Sequence, residues 1–599
     1  MGDTASSPIE FDGPGPPRSR RYGDVYFSRE GGLEEARAVF LAGCGLPERW
    51  AGRRQFTVGE LGFGTGLNIA ALLALWRGQR PTGGHLSIFS VEAEPLTAAE
   101  AGRALAAWPE LGLVTDLLLA RWPGRRPGFH RIDLPELHAT LDLAVMDALA
   151  ALGAWGGAAD AWMLDGFSPP KNPDMWSAPL MRLVAERCAP GATLTTYTVA
   201  GDVRRALAEA GFAVARRPGF GRKRQRLEAR WPGRPSIATT PRVAIVGAGI
   251  AGASLARAFR TLGVPPRVFE ARQPGAGASG NPSALVTPRL DAGLGLAAQL
   301  HAHAFSRAVR LYEGVPGAIV ARGVLQLETQ GNDARRFAKI AASGLFEPGV
   351  LELVGRETVS EALGEPASPA LRICDALVIE PAAVLAAWLD DVETARVAGV
   401  ERTGEDWRLL GENGHVLAET DVVCLASGAG LAQLWPEAPI LPVRGQLSWA
   451  PGASPAAAWG AYVAPAPGGV AFGATHDRGV VDAAWRAEDD ARNLAALGAR
   501  LPALARRVAA GAIRGRAAIR ATTPDRQPLA GEIGPGLYVL GGLGARGFAL
   551  APSLAEHLSA VILCAPSPLP RTLASVVAPG RFAERAGRRR RLARRPRAL

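Results

Sequence analysis

The fold of this chain is decided by two glycine-rich stretches, Gly59-Glu60-Leu61-Gly62-Phe63-Gly64-Thr65-Gly66-Leu67-Asn68 and Val243-Ala244-Ile245-Val246-Gly247-Ala248-Gly249-Ile250-Ala251-Gly252. Each stretch follows an apolar run typical of a strand and opens a run typical of a helix, which is the pattern of a doubly wound nucleotide-binding fold. The two stretches differ in detail, so we expect them to hold different cofactors. The sequence therefore predicts two chemistries on one polypeptide.

The length of the chain and one proline-rich segment predict the domain organisation. The chain has 599 residues, more than the about 250–300 residues at which a single hydrophobic core stops growing. The segment 231–241 contains three prolines and no periodic pattern of apolar residues, and the second glycine-rich stretch follows it directly. We therefore predict a first domain over 1–235, a linker over 236–241, a second domain over 242–578, and a basic, disordered tail over 579–599.

Alternating runs indicate an α/β fold. The strand-like runs of the first domain are 56–58, 86–91, 141–146 and 161–164, with a helical run over 68–79. This alternation predicts a mostly parallel sheet. In the second domain, three later runs have the pattern of antiparallel strands, namely 323–328, 445–449 and 469–473. We expect the second domain to be a dinucleotide-binding fold with an inserted antiparallel sheet for the substrate.

The composition excludes several classes of protein. Hydrophobic residues make up 48% of the chain and the mean hydropathy is +0.07, as in an ordinary globular protein. No stretch reaches the about 18 apolar residues of a membrane span, and the N-terminus lacks the pattern of a signal peptide. Five scattered cysteines without a CxxC pair argue against disulfides and zinc. His301 and His303 lie two apart, which does not suit a helical metal pair, so we expect no metal and a cytoplasmic protein.

The positive charge is concentrated at the C-terminus. The formal net charge is +11, and residues 580–599 hold nine arginines and one glutamate. Such a run attracts polyanions without sequence preference. The charge therefore agrees with a nucleic-acid partner but does not locate its binding surface.

The first glycine-rich stretch predicts a nucleoside site. Gly62, Gly64 and Gly66 allow a tight turn and a close approach of the backbone to a ligand. The order acidic-x-Gly-x-Gly-x-Gly, which begins at Glu60 and leads to Asn68, suits a nucleoside better than a pyrophosphate.

Acidic residues stand at the ends of the later strands of this domain. Glu92 ends the second run, where a carboxylate can accept both ribose hydroxyls. Asp147 follows the third run, in a position to read the adenine amino group, and Asp165 follows the fourth. Each of them alone is also explained as a helix cap or a turn residue. Their occurrence at successive strand ends favours a binding site.

The second glycine-rich stretch satisfies the full GxGxxG rule at Gly247, Gly249 and Gly252. Glu270 follows 21 residues after Gly249, at the end of the next strand-like run, in a position to bind the adenosine ribose. A carboxylate suits an unphosphorylated ribose, so NAD or FAD is favoured over NADP.

The first domain resembles the methyltransferase half of the bifunctional tRNA 5-methylaminomethyl-2-thiouridine biosynthesis family. The resemblance covers nearly all of 9–228 and is carried by Asp24-Val25-Tyr26-Phe27-Ser28, Gly32-Leu33-Glu34-Glu35, the Glu60–Asn68 loop and the block from Asp165-Gly166-Phe167 to Lys171-Asn172-Pro173-Asp174-Met175-Trp176. It implies a Rossmann-like class I methyltransferase fold that uses S-adenosyl-L-methionine. Asp165 then becomes the candidate that accepts an amine N–H and orients the attacking nitrogen. Lys171 and the basic run 221–226 are candidates for phosphate contacts, although a solvated edge explains the run equally well.

Segments of the second domain resemble FAD-dependent D-amino-acid and glycine oxidases. The segment 275–281, with Ser279 and Asn281, resembles their second flavin-contacting stretch. The segment 537–547, with Gly542 and Gly544, resembles the one that closes over the isoalloxazine. Together these segments favour FAD over NAD.

Two arginines are candidate carboxylate ligands in this domain. Arg520 lies in a segment that resembles the carboxylate-binding strand of glycine oxidase, and Arg546 lies in the glycine-rich closing loop. A guanidinium that grips a carboxylate at two points fixes the adjacent C–N bond against the flavin. We therefore predict a substrate that carries a carboxylate next to an amine.

The two chemistries meet on one substrate. A flavin oxidase of this type oxidises a carbon beside an amine, and a methyltransferase needs the free amine that hydrolysis then releases. Over roughly 242–578 the second domain also resembles the C-terminal half of the tRNA-modifying family that the first domain resembles. The resemblance of both halves to this family implies a tRNA whose wobble uridine carries a 5-carboxymethylaminomethyl group. Loss of the carboxymethyl group and N-methylation of the amine would give 5-methylaminomethyl-(2-thio)uridine. We expect the enzyme to act as a monomer.

Two other functions stay open at this point. One is a glycine or D-amino-acid oxidase fused to a small-molecule methyltransferase, which would need no RNA and would consume oxygen with free glycine. The other is a non-catalytic RNA-binding protein with inactive nucleotide folds, which would lack a flavin spectrum.

Overall fold

The chain forms two compact units. The computed structural model describes residues 7–11, 13, 15–234 and 240–585. The first unit comprises the chain up to Thr240 with the segments Thr261–Gly263 and Ala560–Arg571, and the second comprises the remainder. Residues 236–239 of the predicted linker and residues 586–599 of the predicted tail lie outside the described residues.

The first unit is an α/β structure. Its strands are β1 (Ile9–Glu10), β2 (Arg18–Ser19), β3 (Gln55–Leu61), β4 (His85–Glu92), β5 (Gly128–Leu134), β6 (Ala139–Val145), β7 (Ala159–Leu164), β8 (Cys188–Thr196), β9 (Ala213–Pro218) and β10 (Gln225–Arg230). Its α-helices are α1 (Gly32–Glu35), α2 (Leu67–Gln79), α3 (Ala98–Leu105), α4 (Gly112–Ala120), α5 (Ala148–Ala154), α6 (Ala178–Glu186) and α7 (Gly201–Glu209).

The sheet of this unit has the order β5-β6-β4-β3-β7-β8-β10-β9. The strands from β6 to β8 are parallel, whereas β5, β10 and β9 pair antiparallel at the two edges. The four predicted strands are β3, β4, β6 and β7, and the predicted helix is α2, so the α/β prediction is confirmed. The carboxyl ends of β3, β4, β6 and β7 lie along one edge, as the prediction of a shared site requires.

Large aromatic side chains fill the layers between this sheet and its helices. Trp162 on β7 is fully buried and lies opposite Gly59 on β3. A Cβ at Gly59 would lie 2.5 Å from the Trp162 ring, so the glycine makes room for the indole. Phe89 stacks on Trp155 with ring centroids 4.2 Å apart. Such rings each bury about 150–250 Å² and contribute strongly to the core.

The second unit contains three further sheets. Its strands are β11 (Val243–Val246), β12 (Arg267–Glu270), β13 (Ala284–Val286), β14 (Ile319–Leu327), β15 (Leu351–Val354), β16 (Ala370–Ile379), β17 (Val392–Thr394), β18 (Gly399–Thr403), β19 (Asp406–Leu410), β20 (Val416–Thr420), β21 (Val422–Leu425), β22 (Leu441–Ala450), β23 (Ala457–Ala458), β24 (Tyr462–Ala466), β25 (Gly469–Gly473), β26 (Asp477–Arg478), β27 (Arg514–Thr522), β28 (Leu529–Gly534) and β29 (Leu537–Gly541). The helices of this part of the chain are α8 (Ile250–Thr261), α9 (Leu296–Glu313), α10 (Asp333–Ala341), α11 (Arg356–Leu363), α12 (Pro381–Trp388), α13 (Leu431–Leu434), α14 (Ala487–Gly498), α15 (Pro502–Ala509), α16 (Gly547–Ile562) and α17 (Arg571–Val577).

Two of these sheets form the site-bearing layers. The first has the order β17-β12-β11-β21-β29-β28 and is parallel except at β28. The second includes β14, β16, β22, β25 and β27 and is mainly antiparallel. A dinucleotide-binding sheet with an inserted antiparallel sheet is therefore confirmed.

The beginning of the predicted tail is part of the fold. Residues 581–585 are helical, and the Arg581 side chain is buried. Its Nε donates to Asp525 at 3.0 Å and its Nη2 donates to the carbonyl oxygen of Gln527 at 2.9 Å. The prediction of a disordered tail is therefore wrong for its first residues. The error arose because an arginine-rich composition does not reveal a buried partner far away in the sequence.

Candidate active sites

Three glycines with left-handed backbone turn the chain between β3 and α2. Their φ angles are 90° at Gly62, 53° at Gly64 and 80° at Gly66. A Cβ at Gly62 would lie 3.0 Å from the backbone of Gly166. Glycine is required here both for the conformation and for the space. The loop therefore passes directly beside the turn that begins at Asp165.

The Asp165 carboxylate is held by two hydrogen bonds in this turn. The Asn68 side-chain amide donates to its Oδ2 at 2.8 Å, and the Gly166 N–H donates to its Oδ1 at 2.8 Å. Burial raises the pKa of Asp165 to about 7, against the effect of these hydrogen bonds. A carboxyl group with this pKa can exchange a proton near neutral pH.

A second buried carboxyl group lies close by. Glu60 is completely buried and accepts a hydrogen bond from the Ser90 hydroxyl at 2.5 Å. Its Oε1 has no hydrogen-bond partner among the described residues. Burial raises the pKa of Glu60 to about 8. When ionised, the Asp165 carboxylate beside the glycine loop suits a ligand that carries positive charge, whereas Glu60 is mostly protonated at neutral pH.

The structure places the other two predicted acidic residues at strand ends. Glu92 ends β4 and accepts hydrogen bonds from the N–H groups of Gly64 and Glu94, both at 2.9 Å. Asp147 is exposed and caps α5, accepting from Leu149 N–H at 2.9 Å. Glu92 thus supports the glycine loop directly. The capping role accounts for Asp147 without a ligand, and its contact with adenine stays a prediction.

The distinctive block that begins at Asp165 is anchored by Asp24. The Asp24 carboxylate accepts from the Ser168 N–H at 3.0 Å and from its hydroxyl at 2.7 Å. Lys171 donates to the carbonyl oxygen of Gly23 at 2.6 Å and lies 3.3 Å from Asp24. Lys171 therefore has local partners, and its phosphate contact stays a prediction.

The basic run 221–226 also has local partners. Arg222 forms an ion pair with Glu30 at 2.7 Å, although its side chain is 95% exposed. Lys223 forms an ion pair with Glu35 at 2.9 Å and lies above the ring of Tyr197. Exposed guanidinium groups remain available to a polyanion, so the geometry agrees with both explanations of this run.

In the second unit, the glycines of the GxGxxG loop lie very close to neighbouring backbone and side-chain atoms. Gly247 has a φ of 111°, and a Cβ there would lie 2.7 Å from the Ala426 carbonyl oxygen. A Cβ at Gly252 would lie 1.8 Å from the Gly247 carbonyl oxygen, and one at Gly249 would lie 3.1 Å from the Ser279 hydroxyl. The backbone leaves no room for a Cβ at Gly247 or Gly252, and the Ser279 side chain leaves little room at Gly249. The amide groups at the start of α8 are accessible to a phosphate.

The predicted partners of this loop lie beside it. Glu270 ends β12 and accepts from the Ala248 N–H at 2.9 Å. The Ser279 hydroxyl accepts from the Ile250 N–H at 3.0 Å, in the first turn of α8. The structure therefore brings the GxGxxG loop, Glu270 and the segment 275–281 together, as a dinucleotide site requires.

The closing loop after β29 returns to the strand that carries Arg520. Gly542 and Gly544 have φ angles of 65° and 59°. The Gly544 N–H donates to the Ala521 carbonyl oxygen at 2.9 Å. This bond connects the closing loop to β27, on which Arg520 lies.

Both candidate carboxylate ligands are guanidinium groups that are only partly exposed to solvent. Arg520 donates to the Thr475 carbonyl oxygen at 3.3 Å, and burial lowers its pKa. The Nε of Arg546 is buried without a partner among the described residues, and burial lowers the pKa of this residue too. Buried cations of this kind are stabilised by an anionic ligand.

Sequence reasoning missed several neighbours of these arginines. Tyr462 lies close enough to Arg520 to raise the pKa of its guanidinium, against the effect of burial. His301 lies near Arg546, and burial together with this positive charge lowers the pKa of His301 to about 3. Arg516 lies on β27 four residues before Arg520, and this spacing on one strand was the signal that could have revealed it.

The sequence matches two families, one in each half. Residues 109–232 match a family described as S-adenosyl-L-methionine-dependent methyltransferase, and residues 242–561 match one described as FAD dependent oxidoreductase. Among solved structures, iminodiacetate oxidase from Chelativorans sp. BNC1 has 20% sequence identity and a TM-score of 0.47, covering 55% of this chain and 97% of that chain.

Curated relatives match the whole chain. The tRNA 5-methylaminomethyl-2-thiouridine biosynthesis bifunctional protein MnmC of Caulobacter sp. (strain K31) is 56% identical over 597 residues, which cover 98% of this chain and 99% of the relative. The protein of the same name from Maricaulis maris (strain MCS10) is 44% identical over 597 residues, which cover 97% of each.

The two matched families and the two sites define a bifunctional enzyme with a methyltransferase domain and an FAD-dependent oxidoreductase domain. Its cofactors are S-adenosyl-L-methionine and FAD, as predicted. The chain belongs to the family of tRNA 5-methylaminomethyl-2-thiouridine biosynthesis bifunctional proteins.

Among the described residues there is neither a helix suited to span a membrane nor a cluster suited to hold a metal ion. None of the helices there combines the length and apolar character of a membrane span. Within the same part of the chain, no group of three or more His, Cys, Asp or Glu side chains is placed to hold a metal ion.

Proposed function

We propose that this enzyme converts the 5-carboxymethylaminomethyl group of a tRNA wobble uridine into 5-methylaminomethyl, in two steps. The oxidoreductase domain removes the carboxymethyl group, and the methyltransferase domain methylates the amine that remains. The observation that carries this proposal is the presence of both sites on one chain that matches its relatives over almost their full length.

In the first step, the substrate loses two electrons. The C–H bond of the carboxymethyl carbon breaks, the nitrogen gives up its proton, and a C=N bond forms between them. Water then adds to this bond and the C–N bond breaks, which gives the aminomethyl group and glyoxylate. When bound, FAD accepts the hydride and S-adenosyl-L-methionine supplies the methyl group.

The buried arginines orient the substrate for the first step. Arg520 and Arg546 would bind the carboxylate of the N-substituted glycine, and a planar guanidinium can hold both oxygens. Arg520 lies on β27, and Arg546 lies in the closing loop, which is hydrogen-bonded to β27. This arrangement favours an amine that carries a carboxymethyl group over a simple amine.

Asp165 serves the second step. The aminomethyl group arrives as an ammonium ion and must lose a proton before its nitrogen can attack the methyl carbon. The Asp165 carboxylate accepts this proton and holds the remaining N–H so that the lone pair faces the donor. The new N–C bond replaces the S–C bond, and the products are S-adenosyl-L-homocysteine and the secondary ammonium ion, which releases a proton to water to give the secondary amine.

We further propose that neither step uses a membrane or a metal. We propose a cytoplasmic enzyme that acts as a monomer on tRNA. Exposed groups of the basic run 221–226 are candidates for contacts with the RNA backbone.

The oxidation step can be tested by flavin bleaching. The holoenzyme is mixed without oxygen with tRNA that carries 5-carboxymethylaminomethyluridine, with unmodified tRNA, or with free glycine. We expect rapid bleaching with the modified tRNA alone. Bleaching by glycine that equals bleaching by the modified tRNA would support the alternative of a glycine oxidase fused to a small-molecule methyltransferase. Protein without a flavin spectrum would support the non-catalytic alternative.

A further inference from the structure

Arg516 connects the strand of Arg520 with the segment 275–281. It lies on β27, and residues four apart on a strand share a face of the sheet. Its Nη1 donates to the Oδ1 of Asn281 at 3.2 Å. Its position therefore relates the predicted carboxylate ligand to the predicted flavin-contacting segment.

The same guanidinium also holds three successive backbone carbonyl groups. Its Nη2 lies 2.6 Å from the oxygen of Gly277, 2.9 Å from that of Ala276 and 3.3 Å from that of Gly275. A Cβ at Gly280 would lie 2.9 Å from this nitrogen and 2.2 Å from the Gly275 oxygen. The glycine at position 280 thus leaves room for the guanidinium.

A cavity lies beside the contact between the segment and Arg516. Its volume is about 630 Å³, and its lining includes Gly275, Ala276, Gly280 and Arg516 together with Ala382 and Leu385 of α12. Beside this cavity, the side chain of Arg516 holds the segment by hydrogen bonds from a charged donor, which are stronger than those between neutral groups.

A hydrogen bond connects this segment to the dinucleotide-binding loop. The Ser279 hydroxyl accepts from the Ile250 N–H at 3.0 Å and lies 3.1 Å from the place where a Cβ of Gly249 would be. A shift of the segment would therefore disturb the first turn of α8. Hydrogen bonds of Arg516 and Ser279 therefore connect β27, through the segment 275–281, to the phosphate-binding turn.

We propose that Arg516 is a positioning residue, which fixes the flavin-contacting segment 275–281 relative to the strand that carries Arg520. It would set where the segment holds the flavin with respect to the guanidinium that binds the substrate carboxylate. The role in orientation rests on the function proposed above, whereas the effect on flavin binding does not. Lysine is a poor substitute, because a point charge on a flexible stem does not reproduce the planar fork.

Flavin affinity and loop mobility test this role. We compare Arg516→Gln and Arg516→Lys with Arg514→Gln, which alters an exposed arginine on the same strand. Flavin fluorescence gives the FAD dissociation constant, and hydrogen exchange of the flavin-free protein reports on 275–281. We expect Arg516→Gln to weaken FAD binding by about 10- to 100-fold and to speed exchange in the segment. Arg516→Lys should restore part of the affinity, and Arg514→Gln should match the wild type.

Steady-state kinetics and spectra separate positioning from simple structural support. With FAD at saturation, folded Arg516→Gln protein should show an altered visible flavin spectrum and a fall in kcat that exceeds the change in KM for modified tRNA. Wild-type FAD affinity, segment exchange and kcat in Arg516→Gln would overturn the proposal. If Arg516→Gln does not fold, Arg516→Lys decides, and wild-type affinity and spectrum in that variant would overturn it as well.

The same experiments keep the two proposals apart. If the wild-type holoenzyme is not reduced by modified tRNA, the proposed function fails, yet the loss of flavin affinity in Arg516→Gln would still stand. If the wild type is reduced and Arg516→Gln behaves like it, the role of Arg516 fails alone.

Discussion

The charge on the Asp165 carboxyl group is set by opposing effects. Burial disfavours the ionised form, whereas hydrogen bonds from Asn68 and Gly166 favour it, and the pKa lies at about 7. Only the ionised carboxylate can accept a proton from the incoming ammonium group. The methylation rate should therefore rise with pH up to about 7 and then become level.

Asp165→Asn should remove this pH dependence. The amide cannot accept the proton, and loss of a general base lowers a rate by about 100-fold or more. Single-turnover methylation of tRNA that carries 5-aminomethyluridine measures the effect, and binding of S-adenosyl-L-methionine by the variant shows that the first domain is folded. A variant that methylates at the wild-type rate would contradict the role of Asp165.

Glu60 makes the stability of the first domain depend on pH. Burial raises its pKa from 4.5 to about 8, so the folded state favours the protonated form. This stabilisation is complete below the unfolded value and is lost as the pH rises through about 8. Glu60→Gln should therefore be more stable than the wild type above pH 8 and should depend less on pH.

Hydrogen exchange of the β3 and β4 amides in the cofactor-free protein measures this difference. Glu110→Gln, which alters an exposed carboxyl group, serves as the control and should follow the wild type. If Glu60→Gln loses stability with rising pH as steeply as the wild type, Glu60 is ionised in the fold and the account of its burial is wrong.

The sequence predicted the positions of some functional residues but not their long-range contacts. The positions of Glu92 and Glu270 at strand ends followed from the alternation of strands and helices. The hydrogen bonds that Ser168 donates to Asp24 and that Arg516 donates to Gly277 join residues far apart in the chain, so no local pattern contains them. Asp147 illustrates an ambiguity, because helix capping and ligand binding both favour aspartate at this position.

At the scale of elements, the junction of β11 and α8 is the most sensitive to change. A Cβ at Gly252 would lie 1.8 Å from the Gly247 carbonyl oxygen, which is backbone and has little freedom to move. Gly252→Ala should push α8 away from the loop and abolish FAD binding, as measured by the flavin content of the purified protein. Methylation of tRNA that already carries 5-aminomethyluridine should persist.

Gly331→Ala is a matched control in the same unit. Nothing lies within 4 Å of its Cβ position, and its φ is not in the left-handed region. This variant should bind FAD like the wild type. Full flavin content in Gly252→Ala would contradict the close fit of the loop.

The presence of a strand or helix was easier to predict than the residues at which it begins and ends. Apolar runs and glycine loops located β3, β4, β6 and β7, because a parallel strand is buried on both faces. The predicted strand at 323–328 is the end of the longer β14, Ile319–Leu327, whose first residues have no clear pattern in the sequence. Pairing partners such as β22 and β27 depend on long-range contacts that a single sequence does not display.

At the scale of the whole molecule, one chain carries a methyltransferase domain and an FAD-dependent oxidoreductase domain. The matched families and the full-length relatives bear out the two-chemistry interpretation that the glycine loops suggested. The tail was the least predictable part, since Arg581 is buried against Asp525 while the residues from 586 onward lie outside the described chain. Composition alone could not show that Arg581 is buried.

The most direct test of the central claim is nucleoside analysis of tRNA after reaction. The starting tRNA carries 5-carboxymethylaminomethyluridine, and oxygen and S-adenosyl-L-methionine are present. The wild type should form 5-methylaminomethyluridine, Asp165→Asn should stop at 5-aminomethyluridine, and Gly252→Ala should leave the substrate unchanged. Absence of both products with the wild type, or accumulation of 5-aminomethyluridine with Gly252→Ala, would contradict two consecutive steps on one wobble base.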